Sequence, residues 1–384
     1  MRKIMAGIIG AGFISLSHLD AIRRIGFADI VGITDVNYEL AKKKAEEYGI
    51  PKCYRSVEEL LADDNINVVH NCTPNHLHLE INKKIIKAGK HVFSEKPLAM
   101  NTTESQEMLD LVNEHKELVH GVNFNYRMNP LVQDIKHKIS NGEIGTPKLI
   151  HGSYLQDWLL FDTDYNWRLE PEIGGASRCI ADIGSHWMDM AQTVTGAKIT
   201  EVCADLVIVL PVRKKTKSMV ETFSQNTDME YEEKEIKTED YGAVLFKMDN
   251  GCHGVFHASE VSAGRKCYLN IEVNGTKASL YWNQENADHM WMGFREQHNM
   301  QIMRNPLLVD PKVQPYTYLA SGHPEGWNDA IKNNIYSFYK FIVDGKEIGK
   351  DSCDFATFKE GHYILKLTEA ILESNKDRKW VKLV

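Results

Sequence analysis

The chain has 384 residues, 43% of them apolar and 26% charged, an ordinary globular composition. At roughly 100–200 residues per domain, that length has room for two domains. A formal charge of −8 argues against nucleic acid or an anionic membrane as partner, because both require clustered positive charge. Seven cysteines without a C-x-x-C pair suit free thiols in a reducing compartment. The N-terminus enters an apolar strand without a signal-peptide pattern, and no apolar run reaches membrane-span length. The cytoplasm is the expected location.

Taken in chain order, Lys3–Ile9 is an apolar run without polar alternation, as a strand buried on both faces should be. A helix over about 13–25 follows, then the strand Ile30–Thr34 and a Lys/Glu-rich helix through Tyr48. Ile66–Cys72 reads as the next strand. The helix after it sets Leu77, Ile81 and Ile85 on one face and stops at Gly89. His91–Phe93 and Val119–Val122 are further strands, separated by a helix entered through the capping-box pattern Thr103-x-x-Gln106. This alternation predicts an α/β fold for residues 1–124, a Rossmann-type doubly wound parallel sheet.

From 125 to 384 the texture changes. Strand-like stretches at 148–157, 199–210, 241–247, 252–259, 267–274 and 277–282 follow one another through hairpin turns such as Asp249-Asn250-Gly251 and Asn274-Gly275. They predict an α+β domain with a large open, mostly antiparallel sheet, flanked by helices near 182–195, 328–343 and 355–374. The polar segment 211–240 reads as an inserted loop or mobile hairpin, with Arg213-Lys214-Lys215-Thr216-Lys217 as a solvated tip.

The first turn, Gly10-Ala11-Gly12, nearly completes a G-x-G-x-x-G dinucleotide fingerprint, with Ser15 in place of the third glycine. The helix N-terminus after it offers N–H groups and its dipole to a pyrophosphate. Strand two ends at Asp35, 23 positions past Gly12, where a carboxylate should accept hydrogen bonds from the adenosine ribose. An acid there repels a 2′-phosphate, so NAD is expected over NADP.

Three further stretches carry candidate chemistry. Cys72-Thr73-Pro74-Asn75-His76-Leu77-His78 lies at the carboxyl end of a parallel strand, where open sheets place ligands. Its two histidines bracket a turn with no third ligand nearby in sequence, so no metal is expected. In Ser94-Glu95-Lys96-Pro97, the proline pushes Lys96 into an extended conformation at a strand end, where its amine could stabilise an alkoxide. In Asp182-Ile183-Gly184-Ser185-His186-Trp187-Met188-Asp189, a helix would align Asp182, His186 and Asp189 on one face. An imidazole with a carboxylate one turn away is a candidate general base.

Gly10-x-Gly12, Glu95-Lys96-Pro97 and Asp182-x-Gly184-x-His186-x-x-Asp189, in this order and spacing, resemble the glucose–fructose oxidoreductase / inositol dehydrogenase (Gfo/Idh/MocA) family. The similarity spans essentially the whole chain. Phe124-Asn125-Tyr126-Arg127, Tyr154-Leu155-Gln156-Asp157-Trp158 and Trp167-Arg168 resemble a branch that oxidises an anhydrosugar. The resemblance implies NAD(P)-dependent oxidation of a ring hydroxyl of a neutral sugar, anhydrosugar or inositol. It assigns catalysis to Lys96, Asp182 and His186, with His186 as base. Cofactor contacts are expected from Gly10, Gly12, Phe13, Ile14, Asp35, Thr73, Asn75, His78, Glu95, Lys96 and Asn125. Gln156, Trp167 and Arg168 join Asp182 and His186 as substrate contacts, and the Lys96–Pro97 peptide is expected cis.

Two other readings stay open on sequence alone: a non-catalytic NAD-binding sugar sensor, and a lyase or glycosidase that retains NAD. The broad face of an open antiparallel sheet predicts a homodimer or homotetramer.

Overall fold

The computed structural model describes residues 3–216 and 230–383. Two compact units emerge: Met1–Asn125 with Asn328–Leu365, and Tyr126–Trp327 with Lys366–Val384. The first unit therefore recruits residues from far beyond the expected boundary at 124.

Its elements are β1 (Ile4–Ile9), α1 (Phe13–Arg23), β2 (Ala28–Thr34), α2 (Tyr38–Glu47), β3 (Lys52–Cys53), α3 (Val57–Leu61), β4 (Val68–Asn71), α4 (His78–Lys87), β5 (His91–Ser94), α5 (Thr102–Glu114) and β6 (His120–Val122). The six strands are all parallel, in the order β3-β2-β1-β4-β5-β6. Strand order reverses between β1 and β4, which marks the crevice at their carboxyl ends as the ligand position. The start of α5 differs from expectation. Asn101 Oδ1 accepts from the Glu104 N–H at 2.9 Å and Glu104 Oε2 accepts from the Met100 N–H at 3.0 Å. The N-cap is thus Asn101, two residues earlier than the Thr103 pattern, with Glu104 reaching back to the residue before it, because asparagine caps at least as well as threonine.

The second unit begins with α6 (Pro130–Ser140), β7 (Pro147–Leu155), the single turn α7 (Pro171–Gly174), α8 (Ser185–Thr195) and β8 (Ile199–Val207). β9 (Val212–Thr216), β10 (Tyr231–Glu235), β11 (Tyr241–Met248), β12 (His253–Ser259), β13 (Tyr268–Gly275), β14 (Ser279–Asn283), β15 (His289–Gly293) and β16 (Met300–Met303) follow. The chain closes with α9 (Trp327–Val343), α10 (Phe358–Asp377) and β17 (Val381–Lys382). Nine strands form one sheet in the order β16-β15-β14-β13-β7-β12-β11-β8-β17, antiparallel except for the parallel pair β7 and β12. α8 packs on its inner face, where Trp187 stacks on Phe256 with centroids 4.6 Å apart and its indole N–H donates to Asn270 O at 2.8 Å. Gly152 makes this approach possible: a Cβ there would stand 2.1 Å from Asn270 O and 2.6 Å from the Trp187 indole nitrogen.

α9 belongs to the first unit because its apolar face covers the parallel sheet. Phe338 meets Phe93 of β5 at 5.0 Å between centroids, and Tyr339 bonds His70 of β4.

The solvated tip expected at Arg213–Lys217 is corrected. β9 and β10 pair as an antiparallel hairpin, and Arg213 at its base is fully buried. The Arg213 guanidinium donates to the carbonyls of Leu159, Phe161 and Asp164 and to the Asp240 carboxylate. Lys217 and the rest of the segment through 229 lie outside the described residues.

Candidate active site

In the first unit the turn after β1 is set by backbone approach. Gly10 has φ +99°, and a Cβ on it would stand 2.6 Å from Cys72 O at the end of β4. A Cβ on Gly12 would meet no atom within 4 Å, and no side chain caps the start of α1 there. The fold itself does not require glycine at that position; a pyrophosphate lying against the helix N-terminus would. Ser15 is fully buried and its hydroxyl donates to Gly12 O at 2.6 Å, closing the turn without a third glycine. Asp35 accepts from the Ala11 N–H through Oδ2 and from the Asn37 N–H through Oδ1, both at 2.8 Å. Its carboxylate is thereby fixed beside the turn. Phe13 is 52% exposed at the helix start and Ile14 is half-buried. Open space at Gly12, an uncapped helix and a fixed acid together fit a dinucleotide.

The ends of β4, β5 and β6 hold the other first-unit candidates. Thr73 is half-buried, with its hydroxyl donating to Asn71 Oδ1 at 2.7 Å. Asn71 in turn donates to Asn82 at 2.9 Å, and Asn82 to Ser94 Oγ at 3.0 Å, fastening the two strand ends through α4. Asn75 opens a short 3₁₀ turn, Asn75–Leu77, and is half-buried. His78 is fully buried, its ring nitrogens 2.6 Å from Pro97 O and 2.8 Å from Thr73 O. Burial holds its pKa below the ordinary value, so the neutral ring donates to one of these carbonyls at a time. Lys96 is half-buried and its peptide bond to Pro97 is cis. Asn125 is 3% exposed, with a buried Nδ2 that has no hydrogen-bond partner among the described residues.

Glu95 stands at the centre of a buried network. Its Oε1 faces His18 Nε2 at 2.8 Å and accepts from Asn123 Nδ2 at 2.6 Å; Oε2 accepts from the Lys96 N–H at 3.2 Å. Burial alone would raise the Glu95 pKa, but His18, Asn123 and Lys96 outweigh it and hold the carboxyl at about 2. Burial would likewise lower that of His18, yet the neighbouring Cys72 and Glu95 hold it up to about 10. The pair is ionised at neutral pH.

In the second unit the motif helix does not start as a regular α-helix. Ile180–Gly184 forms a π-helical turn that runs into α8. Wide turns of this kind often sit at functional sites. The two acids of the motif are each engaged by an arginine. Asp182 Oδ2 lies 3.5 Å from Arg168 Nε, and Asp189 receives both prongs of the Arg127 guanidinium, one at 2.9 Å. His186 is 7% exposed and meets the Tyr126 ring edge-on, with centroids 4.8 Å apart; Tyr154 lies at 6.3 Å. The Tyr126 and Tyr154 hydroxyls are 2.6 Å apart and both reach the Cys267 sulfur. Burial first, with Cys267 adding to it, pushes both phenols well above their usual pKa, so they serve as neutral hydroxyls. Gln156 Nε2 reaches Tyr154 at 3.5 Å, and Trp167 carries the Arg168 guanidinium 4.4 Å from its ring centroid. Tyr154, Gln156 and His186 thus form one neighbourhood, and Trp167, Arg168 and Asp182 another.

Residues 4–124 match the description "Oxidoreductase family, NAD-binding Rossmann fold", and residues 132–281 the GFO/IDH/MocA C-terminal domain. The chain belongs to the Gfo/Idh/MocA oxidoreductase family. Like other members it is an NAD-dependent oxidoreductase with an N-terminal Rossmann domain. The levoglucosan dehydrogenase of Pseudarthrobacter phenanthrenivorans is 28% identical, with 99% of this chain and 98% of that protein aligned. The glucose-6-phosphate 3-dehydrogenase of Bacillus subtilis is 26% identical over 98% of this chain and 97% of its own. Among solved structures, levoglucosan dehydrogenase in complex with NADH and levoglucosan superposes with a TM-score of 0.88 at 28% identity, covering all of both chains. An oxidoreductase domain protein from Kribbella flavida gives 0.89 at 25% identity, again over both full chains.

Sequence reasoning missed several residues that shape this Gfo/Idh/MocA site. His18 and His70 are interior residues of α1 and β4 whose partners come from other elements. Arg178, Asp240 and Glu260 form a fully buried ion cluster beside the π-helical turn, with Arg178 donating to both acids. Burial, aided by Asp182 and other nearby acids, pushes the Glu260 carboxyl upward against Arg178. One signal for the cluster was present: Asp240 sits where an acidic run meets a strand, a poor place for a solvated charge.

Proposed function

We propose that this chain oxidises a ring hydroxyl of an uncharged sugar, anhydrosugar or inositol. NAD, when bound, supplies the hydride acceptor, and Gly12, the start of α1 and Asp35 would hold it. His186 takes the hydroxyl proton while the ring carbon gives up hydride, and the Lys96 ammonium balances negative charge on the substrate oxygen. Asp182, paired with Arg168, is the acid that accompanies the base in the motif. The neutral hydroxyls of Tyr126 and Tyr154 make the histidine's surroundings hydrogen-bonding but uncharged. Anhydrosugar, sugar-phosphate and inositol dehydrogenases among the relatives support ring-hydroxyl oxidation as the reaction class.

One observation carries the choice of an uncharged substrate. Arg127 and Arg168 are both committed to the motif's carboxylates, and Arg178, just before the π-helical turn, is committed to Asp240 and Glu260. A phosphate or carboxylate on the substrate would have to break an existing ion pair to be recognised.

The test is a screen of levoglucosan, glucose, myo-inositol and glucose 6-phosphate, followed by NADH absorbance, with His186→Ala beside the wild type. NADH formation with a neutral compound is expected, and His186→Ala should lower turnover by about 10²–10⁴-fold while NAD still binds. NAD binding without reduction by any sugar would favour a sensor, and a cleaved product without NADH a lyase.

A further inference from the structure

We infer that His18 and Glu95 are positioning residues for Lys96, an ion pair tying the cofactor-binding helix to the strand end that carries the lysine. This rests on the role proposed above for Lys96.

The proton arrangement is determined by the partners. Glu95 is ionised, so the 2.8 Å contact to its Oε1 requires a proton on His18 Nε2. His18 Nδ1 faces His70 Nδ1, also at 2.8 Å, and His70 Nε2 faces the Tyr339 hydroxyl at 2.6 Å. A charged His18 donates from both nitrogens, which leaves His70 neutral, accepting at Nδ1 and free to donate from Nε2 to Tyr339. Burial and the His18 charge both push the His70 pKa well down, consistent with that state. The result is an unbroken line from Glu95 through α1 and β4 to α9, with all three ring-bearing members fully buried.

Each contact on Glu95 constrains the next residue. Its own N–H donates to Asn71 O at 2.9 Å, which holds it to the end of β4. Its Oε2 receives the Lys96 N–H, so turning the carboxylate would turn the lysine backbone. Asn123 holds the same carboxylate from the end of β6 and is itself held by Asn334 of α9 at 3.0 Å. His18 lies on the second turn of α1, the helix whose N-terminus faces the open space at Gly12. A displacement of α1 would therefore reach the Lys96 backbone through two hydrogen bonds on one carboxylate, from His18 to Oε1 and from the Lys96 N–H to Oε2. Glu95 need not touch substrate or cofactor to matter.

The experiment is a double-mutant cycle of Glu95→Gln and Lys96→Ala on the single-turnover hydride-transfer rate. It uses the screened neutral sugar that reduces NAD fastest. Histidine ¹⁵N NMR of the cofactor-free protein accompanies it, with His18→Gln as control. Glutamine keeps the shape and an acceptor but removes the charge. Glu95→Gln is expected to slow transfer by about 10²-fold, the scale of a small misplacement of a reacting group. In the Lys96→Ala background it should leave the already reduced rate unchanged. One imidazolium should persist above the ordinary histidine range in the wild type and vanish in both Glu95→Gln and His18→Gln. Additive losses, or full activity in a folded Glu95→Gln protein, overturn the inference, as does a wild type lacking that imidazolium. Should Lys96→Ala turn over normally while the imidazolium persists, the lysine's proposed role fails and the positioning claim fails with it.

Discussion

Arg168 and Asp182 meet at 3.5 Å, and the same guanidinium lies over the Trp167 ring. The pair is about a quarter exposed on the arginine side and less on the aspartate side. It therefore charge-balances the first acid of the motif without being locked into the core. Arg127 and Asp189, by contrast, are almost wholly buried.

From this follows the first prediction. Arg168→Ala removes this cation from the Asp182 carboxylate and should lower kcat/KM for a neutral sugar on the order of tenfold, worth about 1.4 kcal/mol. It should not create activity toward glucose 6-phosphate. Steady-state kinetics on both compounds decides; preference of the wild type for the phosphorylated sugar would contradict the charge argument.

Asp35 gives the second. Its two oxygens are each fixed by a backbone N–H beside the turn after β1, and we propose that this carboxylate meets the ribose hydroxyls of NAD. Hydrogen bonds to a charged group contribute about 1.5–3 kcal/mol. Asp35→Ala should weaken NADH binding by about ten- to hundredfold while weakening NADPH binding little, as read by fluorescence titration. Equal losses for the two cofactors would assign Asp35 to shaping the turn alone.

Much of this was legible in the sequence, for physical reasons that can be named. Buried parallel strands are largely apolar, so β1 and most of β2 stand out, and glycine at a close approach marks the turn after β1. The hairpin chemistry at Gly251 and at Asn274-Gly275 likewise announces the second sheet. Long-range pairing was not legible. Nothing local says that His18 meets Glu95, or that Arg213 buries its guanidinium among three carbonyls, since a charged residue looks solvated until its partners are known. The return of α9 to the first sheet was hidden for the same reason: amphipathic spacing shows that a helix has a buried face, not which sheet it covers. The π-helical turn at Ile180–Gly184 leaves no periodic trace, being shorter than any pattern that could reveal it.

The ion pair at His18 makes a third prediction, on stability. His18 is held at about 10 against an ordinary 6.5, so its contribution is complete below about 6.5 and is lost as pH rises through about 10. Glu95 is held at about 2 against an ordinary 4.5, so its contribution is complete above about 4.5 and is lost as pH falls through about 2. Removing one partner of a buried pair costs about 3–5 kcal/mol. The Tm difference between wild type and His18→Gln should be greatest near pH 4.5–6.5 and shrink toward pH 10. A difference independent of pH would mean that lost packing, not charge, is responsible.

The fourth concerns assembly and the outer face of the nine-stranded sheet. Leu245 and Val255 are cross-strand neighbours on β11 and β12, 49% and 40% exposed. Leu149 on β7, on the same face two residues from the His151 that pairs with Val255, is 54% exposed. Three large apolar side chains close together on one sheet face are more than scattered surface hydrophobics, and contiguous exposed apolar patches mark interaction sites. We propose that a second copy of the chain covers the face, since a self-complementary patch closes with two-fold symmetry. Such an interface needs about 800 Å² from each partner, which a face several strands wide can supply. Light scattering should give a mass of two chains or a multiple of two. Leu245→Glu with Val255→Glu should shift it to the monomer, because apposed copies would bury four unpaired carboxylates. Since both side chains point away from the core of their own subunit, the double variant should retain its fold by circular dichroism. A wild-type mass of one chain, or an assembly that survives both substitutions, would rule this face out as the interface.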